Sequence, residues 1–140
     1  MNRKNANHMN LEELNLKDLQ PSQFYISEEK LKTIKEWFDP NNLSEFEPIP
    51  IKVLNNKPVM TDGHTRAVVA IQYGLKSVPL VWDNDELDWD MYCKCVDECL
   101  KQNIKSPYDL LNRIIDKDDY EIKWRGWCKL NRQSRMIDLI

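Results

Sequence analysis

Residues 58–66, Pro-Val-Met-Thr-Asp-Gly-His-Thr-Arg, and residues 67–74, Ala-Val-Val-Ala-Ile-Gln-Tyr-Gly, decide the fold of this chain. The apolar start predicts a buried strand, and Asp62-Gly63 predicts a sharp turn. The apolar spacing of residues 67–75 then predicts a helix with one buried face. Gly74 is typical of the position just after a helix ends. The stretch therefore predicts a strand that passes through a tight turn into a short helix.

The first turn of that helix concentrates groups that pair with anions. Its N–H groups lack helical partners, and the helix dipole favours a negative charge at this end. A glycine in the turn lets a ligand approach the backbone closely. We therefore predict that a phosphate-bearing ligand binds at Asp62, Gly63, His64, Thr65 and Arg66. The alternative interpretation is that the same residues only form an ordinary turn and cap the helix, without binding a ligand.

The composition is typical of a globular domain with a substantial core. The chain has 140 residues, of which 41% are hydrophobic and 31% are charged. No apolar run approaches the length of a bilayer span, and the polar residues 1–8 do not resemble a signal peptide, so we expect a cytoplasmic protein without a membrane partner. The net charge of −3 argues against DNA as a partner, because binding a phosphate backbone needs clustered Lys and Arg.

The four cysteines lie in segments with helical spacing. We interpret them as reduced thiols that pack as small apolar residues, because neither a disulfide framework nor the spacing of a zinc site is evident. We accordingly expect no metal site built from Cys93, Cys95, Cys99 and Cys128.

The pattern of elements predicts an α+β fold in three parts. These are a flexible N-terminus at residues 1–10, a small α/β domain with a mixed sheet at residues 11–85, and an all-helical extension packed on it at residues 86–140. In the α/β domain we expect strands at 23–26, 49–54, 58–61 and 77–82, of which 49–54 and 58–61 form a hairpin with Pro50 and Pro58 at an edge or a strand start. We also expect a helix that Ser27 caps and that runs to about Phe38, with Leu31, Ile34, Trp37 and Phe38 as its apolar stripe. In the extension we expect helices that begin near residues 88, 107 and 118, with Ile114 and Ile115 facing inward.

A family resemblance adds to this interpretation. Residues 16–82 run through a short strand, a helix, Pro-Ile-Pro-Ile-Lys-Val, a turn, Val-Met-Thr-Asp-Gly-His-Thr-Arg-Ala, a helix ending in Gly-Leu, and Val-Pro-Leu-Val. This order resembles the ParB/sulfiredoxin superfamily, whose members use the turn to hold nucleotide phosphates. The sulfiredoxin version has a nucleophilic cysteine where this chain has His64, and ParB proteins carry a second arginine that this chain lacks.

The box at residues 62–66 is most similar to the Asp-Gly-His-His-Arg pattern of the free-serine kinase branch, which transfers phosphate from a nucleotide to a small hydroxyl compound. Asp62, Gly63, His64 and Arg66 match that pattern, and Thr65 replaces its second histidine. The resemblance implies catalytic roles for Asp62 and His64, phosphate contacts from residues 63–66, and Mg²⁺ as a cofactor with the nucleotide. It places Ser22 and Gln23 on the substrate side, with Gln23 where the branch has its catalytic glutamate.

Two functions from different classes follow. In the first, the chain binds a nucleotide and transfers phosphate to a small hydroxyl compound. In the second, it is a non-catalytic module that senses a ligand or engages another protein through the aromatic residues of its helical tail, which are Trp89, Tyr120, Trp124 and Trp127. Aromatic side chains are found at interfaces, but they are found more often in ordinary cores, and we favour the core interpretation here.

Overall fold

The computed structural model describes the backbone of residues 9–139 and the side chains of residues 9–132. The prediction of a flexible N-terminus therefore falls largely outside the described residues. Two short 3₁₀ turns, Leu11–Glu13 and Leu16–Asp18, open the described chain. Leu16 and Leu19 are fully buried, so this segment is part of the core.

A three-stranded sheet forms the centre of the α/β part. Strand β2 (Ile49–Leu54) lies in the middle, antiparallel to β3 (Lys57–Met60) and parallel to β4 (Leu80–Trp82). Asn55 and Asn56 join β2 to β3 with φ of 50° and 64°, the left-handed values that a two-residue hairpin turn requires. The predicted hairpin is confirmed. The strand predicted at 77–82 is shorter than expected, and its Val81 and Trp82 side chains are exposed.

We expected Pro50 at a sheet edge or at a strand start, and it is the second residue of β2, the middle strand of this sheet. The Thr61 N–H donates to the Pro50 carbonyl at 3.1 Å, but proline has no N–H to return to the Thr61 carbonyl. That carbonyl accepts instead from the Tyr92 hydroxyl, at 3.0 Å. A side chain from a later helix thus replaces the missing backbone donor, which makes a central proline tolerable.

Helices α1 (Glu28–Lys35) and α2 (His64–Gln72) pack against each other and against the short strand β1 (Ile26–Ser27). The Ser27 hydroxyl caps α1 by accepting the Lys30 N–H at 3.2 Å, as predicted. The helix ends at Lys35, earlier than the expected Phe38, and Trp37 is 43% exposed although we expected it in the buried stripe. The core of the molecule includes Ile49, Ile51, Met60, Ala67, Val68, Val69 and Ala70.

The extension after residue 85 is not all-helical, which corrects the prediction. Strand β1 (Ile26–Ser27) pairs in parallel with β5 (Ile114–Ile115), where we expected helical residues. Strand β1 is also shorter and later than the predicted strand at 23–26. This pairing joins the extension to the α/β part through the backbone.

The remainder of the extension is helical. Helix α3 (Trp89–Lys101) is capped by Asp88, a 3₁₀ turn spans Pro107–Leu110, and α4 (Lys117–Tyr120) continues through a π-helical turn (Glu121–Arg125) into α5 (Gly126–Leu139). Trp124 and Trp127 meet the Phe24 ring edge-on, with ring centroids 5.0 and 5.1 Å away. These aromatic residues therefore pack on the core. The fold is mixed α+β, and no helix of residues 9–139 is long and apolar enough to cross a membrane.

The hydrogen bond from Tyr92 to the sheet gives a stability prediction. Tyr92→Phe leaves the Thr61 carbonyl without its donor, so we expect the free energy of unfolding in urea to fall by about 1 kcal/mol. Tyr108→Phe is the matched control, because the Tyr108 side chain is exposed and its replacement should change the value by less than about 0.5 kcal/mol. Equal losses in the two variants would contradict the role given to Tyr92.

Candidate functional site

The turn between β3 and α2 is built around Gly63. Its φ of 79° lies in the left-handed region, and a Cβ atom there would stand 2.9 Å from the Arg66 Nη2 atom and 3.1 Å from the Ile49 Cγ1 atom. Only glycine satisfies both the backbone conformation and the space. The turn therefore holds the Arg66 guanidinium directly beside the backbone at the start of α2.

The first turn of α2 has no side-chain cap. Gly63 occupies the N-cap position, and neither the Asp62 nor the Thr65 side chain caps the helix. The first helical hydrogen bond runs from the Ala67 N–H to the Gly63 carbonyl at 3.0 Å. The N–H groups of residues 64–66 therefore have no carbonyl partner within the helix. These three groups and the positive end of the helix dipole are what an anion would meet.

Arg66 is held by the loop that precedes β2. Its Nη1 atom donates to the Glu47 carbonyl and, at 3.3 Å, to the Pro48 carbonyl, and the guanidinium carbon lies 5.9 Å from the centre of the Phe46 ring. Among the described residues, Arg66 forms no ion pair with Asp62, and its hydrogen bonds go to this loop instead. One edge of the guanidinium is anchored, and the Nη2 atom faces the Gly63 turn.

His64 is a buried, neutral side chain. It is only 4% exposed, and its Nε2 atom accepts the Ser22 N–H at 3.0 Å, so the ring proton resides on Nδ1. Burial lowers the pKa of His64 to about 4; the Asp62 charge opposes that shift and the Arg66 charge adds to it. The neutral ring therefore uses Nε2 within the protein and keeps one N–H group, on Nδ1, and a catalytic role for His64 stays a prediction.

Ser22 and Gln23 lie close to the turn, although they are about forty residues away in sequence, and their place on the substrate side stays a prediction. The Ser22 hydroxyl donates to the Met60 carbonyl at 2.6 Å and is buried, so it is already used within the protein. The Gln23 Nε2 group donates to the Tyr25 carbonyl at 2.8 Å and to the Tyr120 hydroxyl at 3.1 Å. Gln23 lines the cleft, but an amide cannot accept a proton as the glutamate of the kinase branch does.

A cleft of about 580 Å³ opens in front of the α2 start. All five residues of the predicted box line it, with the Asp62 side chain exposed and Thr65 9% exposed. Sequence reasoning missed the opposite wall, because α1 showed only an ordinary polar face and Glu47 lies in a loop. That wall and the rim are formed by Glu29, Lys30, Thr33, Ile34, Glu47 and Tyr120.

Among the described residues, no group of three or more His, Cys, Asp or Glu side chains could hold a metal ion.

Comparison with models of protein families, with curated proteins and with solved structures finds no match for this chain. The likeness to the ParB/sulfiredoxin superfamily therefore stays a prediction. What the cleft can do chemically follows from its own geometry.

The Gly63 turn gives a prediction with an internal control. Gly63→Ala adds both left-handed strain and a collision with Arg66 and Ile49, whereas Gly74→Ala adds only strain, since φ is 87° there and a Cβ would meet nothing within 4 Å. We expect Gly74→Ala to lower the free energy of unfolding by about 1 kcal/mol and Gly63→Ala by about 2 to 4 kcal/mol. Equal losses in urea unfolding would contradict the close packing described at Gly63.

The buried neutral His64 gives a pH dependence. Between pH 6.5 and about 4, His64 is protonated in the unfolded chain but stays neutral in the folded chain. The free energy of unfolding therefore falls as the pH falls through this range. The lost free energy of unfolding is on the order of 3 kcal/mol. His64→Gln should flatten this part of the pH profile of urea unfolding. His8→Gln controls for the other histidine of the chain, and a slope that disappears with His8 instead would contradict the assignment.

Proposed function

We propose that this chain binds a phosphate-bearing small molecule, with a nucleotide as the favoured class, in the cleft at the start of α2. The observation that carries the proposal is the uncapped first turn of α2, which opens into a cleft lined by two cationic side chains, Lys30 and Arg66. Backbone N–H groups bind phosphate oxygens directionally, and a guanidinium adds charge-assisted hydrogen bonds. A volume near 580 Å³ suits a small molecule.

The charges of the cleft favour a phosphate ligand that arrives with a divalent cation. Lys30 and Arg66 face three carboxylates, on Glu29, Glu47 and Asp62, so a bare polyanion would meet a net negative wall. Mg²⁺ in nucleotide sites keeps several waters and needs only one or two carboxylates besides the phosphates. Asp62, exposed at the rim, is the carboxylate that fits this role.

Transfer of the phosphate to a small hydroxyl compound is the second candidate function. It is favoured by Asp62, which lines both this cleft and a neighbouring cleft of about 600 Å³ and forms no ion pair within the described part of the chain. Such a carboxylate can orient an acceptor hydroxyl, and phosphoryl transfer depends mainly on positioning and electrostatics. Neutral His64 and Gln23 would support the walls of the site without moving a proton.

Titration with Mg²⁺-ATP, Mg²⁺-ADP and Mg²⁺-CTP by isothermal calorimetry tests the proposed binding. We expect binding by at least one nucleotide, and we expect Lys30→Gln to weaken it about tenfold or more, because a hydrogen bond to a charged group is lost. Arg66→Gln should weaken binding further. Since Arg66 also holds the loop at Glu47 and Pro48, Lys30→Gln is the cleaner variant.

Lys57→Gln is the matched control, because Lys57 is an exposed lysine at the start of β3 and does not line the cleft. It should bind nucleotide as the unaltered chain does. No heat change with any of the three nucleotides, or an equal loss of affinity in Lys30→Gln and Lys57→Gln, would overturn the proposal. Formation of ADP and of a phosphorylated hydroxyl compound from ATP, and the loss of both products in Asp62→Asn, would support transfer.

A further inference from the structure

Two thiols from different helices meet behind the candidate site. Cys95 on α3 is buried and Cys128 on α5 is half-buried, and both line a pocket of about 300 Å³ that His64 and Ser22 also line. The interaction between the two thiols raises the pKa of Cys95 and lowers the pKa of Cys128. The chain thus places two interacting thiols on one pocket, next to residues that support the cleft.

Cys128 lies in basic surroundings and can be reached from a second pocket. That pocket, of about 540 Å³, is lined by Cys128 together with Arg125, Lys129 and Arg132. The interaction with the Cys95 thiol lowers the pKa of the Cys128 thiol, burial opposes this shift, and the charges of Arg132 and Arg125 lower the pKa further. A thiolate is the reactive form of cysteine, so Cys128 has the surroundings of a nucleophile.

The other three cysteines lie in surroundings that raise the pKa of the thiol. Burial and the carboxylates of Asp97 and Asp90 raise the pKa of the half-buried Cys93 thiol, and burial raises the pKa of Cys99 to about 12. The interaction with the Cys128 thiol, together with burial, raises the pKa of Cys95, which keeps its proton. Among the four cysteines, reactivity is therefore concentrated at Cys128, with Cys95 as its neighbour.

We propose that Cys128 is a peroxide-reactive thiol that closes to a disulfide with Cys95. The Cys128 thiolate attacks one oxygen of a hydroperoxide, the O–O bond breaks, and a sulfenic acid forms while hydroxide leaves and takes up a proton as water. The Cys95 sulfur then attacks the sulfenic sulfur, the S–O bond breaks, and the hydroxyl leaves with the Cys95 proton as a second water. Two thiols lose two electrons, hydrogen peroxide is reduced to two waters, and a dithiol reductant reverses the change.

The disulfide would join α3 to α5 along the pocket that borders His64 and Ser22. It adds a function for two of the four cysteines to our interpretation of them as packing residues, which stays a prediction. The proposal does not depend on nucleotide binding, because it rests on the two thiols and the basic pocket.

The reduced full chain is treated with hydrogen peroxide and followed by mass spectrometry with peptide mapping. We expect the loss of two hydrogen atoms, a Cys95–Cys128 linkage within one chain, and recovery with dithiothreitol. Cys95→Ser should stop at a Cys128 sulfenic acid that dimedone traps, and Cys128→Ser should lose the reaction. Cys93→Ser is the matched control, a second half-buried cysteine whose loss should change nothing.

Competitive labelling of the unaltered chain with iodoacetamide gives an answer that needs no variant. Cys128 should be alkylated several-fold faster than Cys93 at neutral pH. A linkage that uses Cys93 or Cys99, a disulfide between two chains, or equal alkylation of Cys128 and Cys93 would overturn the proposal.

Discussion

The left-handed backbone of Gly63 is the constraint on which the site depends. It turns the chain from β3 into α2 within three residues, and its missing side chain leaves the room that the Arg66 guanidinium occupies. Because the N-cap has no side chain, the first N–H groups of α2 stay available. One glycine therefore sets the backbone direction, the position of the cation and the open helix end together.

A buried hydrogen-bond network fixes the turn from behind. Ser22 donates its N–H to His64 and its hydroxyl to the Met60 carbonyl, and the Gln20 side-chain amide reaches the Ile104 carbonyl at 2.9 Å. No buried side-chain nitrogen or oxygen in the described part of the chain lacks a hydrogen-bond partner. Satisfied buried polar groups make a rigid wall, because each would cost free energy if it moved away from its partner. The rear wall of the cleft is thus held in place by packing and by these hydrogen bonds.

Local sequence patterns predicted much of the fold, but they did not predict the elements and site residues that depend on contacts between distant parts of the chain. The hairpin at residues 49–60, helix α2 and the Ser27 cap follow from alternation, turn residues and capping, which are readable in a few neighbouring residues. Strand β5 was missed because two residues, Ile114 and Ile115, become a strand only by pairing with Ile26 and Ser27. The box at residues 62–66 is readable in the sequence and its role as a site stays a prediction, whereas Lys30 and Glu47 reach the same cleft only through tertiary packing. Likewise, the neutral state of His64 depends on its burial, which spacing does not reveal.

Binding of an anion by the open amides at the start of α2 can be followed by ¹H–¹⁵N NMR during titration with Mg²⁺-ATP. Hydrogen bonds to phosphate oxygens shift the resonances of the donor amides, so the spectrum reports the binding site residue by residue. We expect the largest changes in amide chemical shift at His64, Thr65 and Arg66, and no change at the hairpin amides of residues 53–57. Saturable changes centred elsewhere, with the resonances of residues 63–66 unchanged, would show that the start of α2 does not receive the anion.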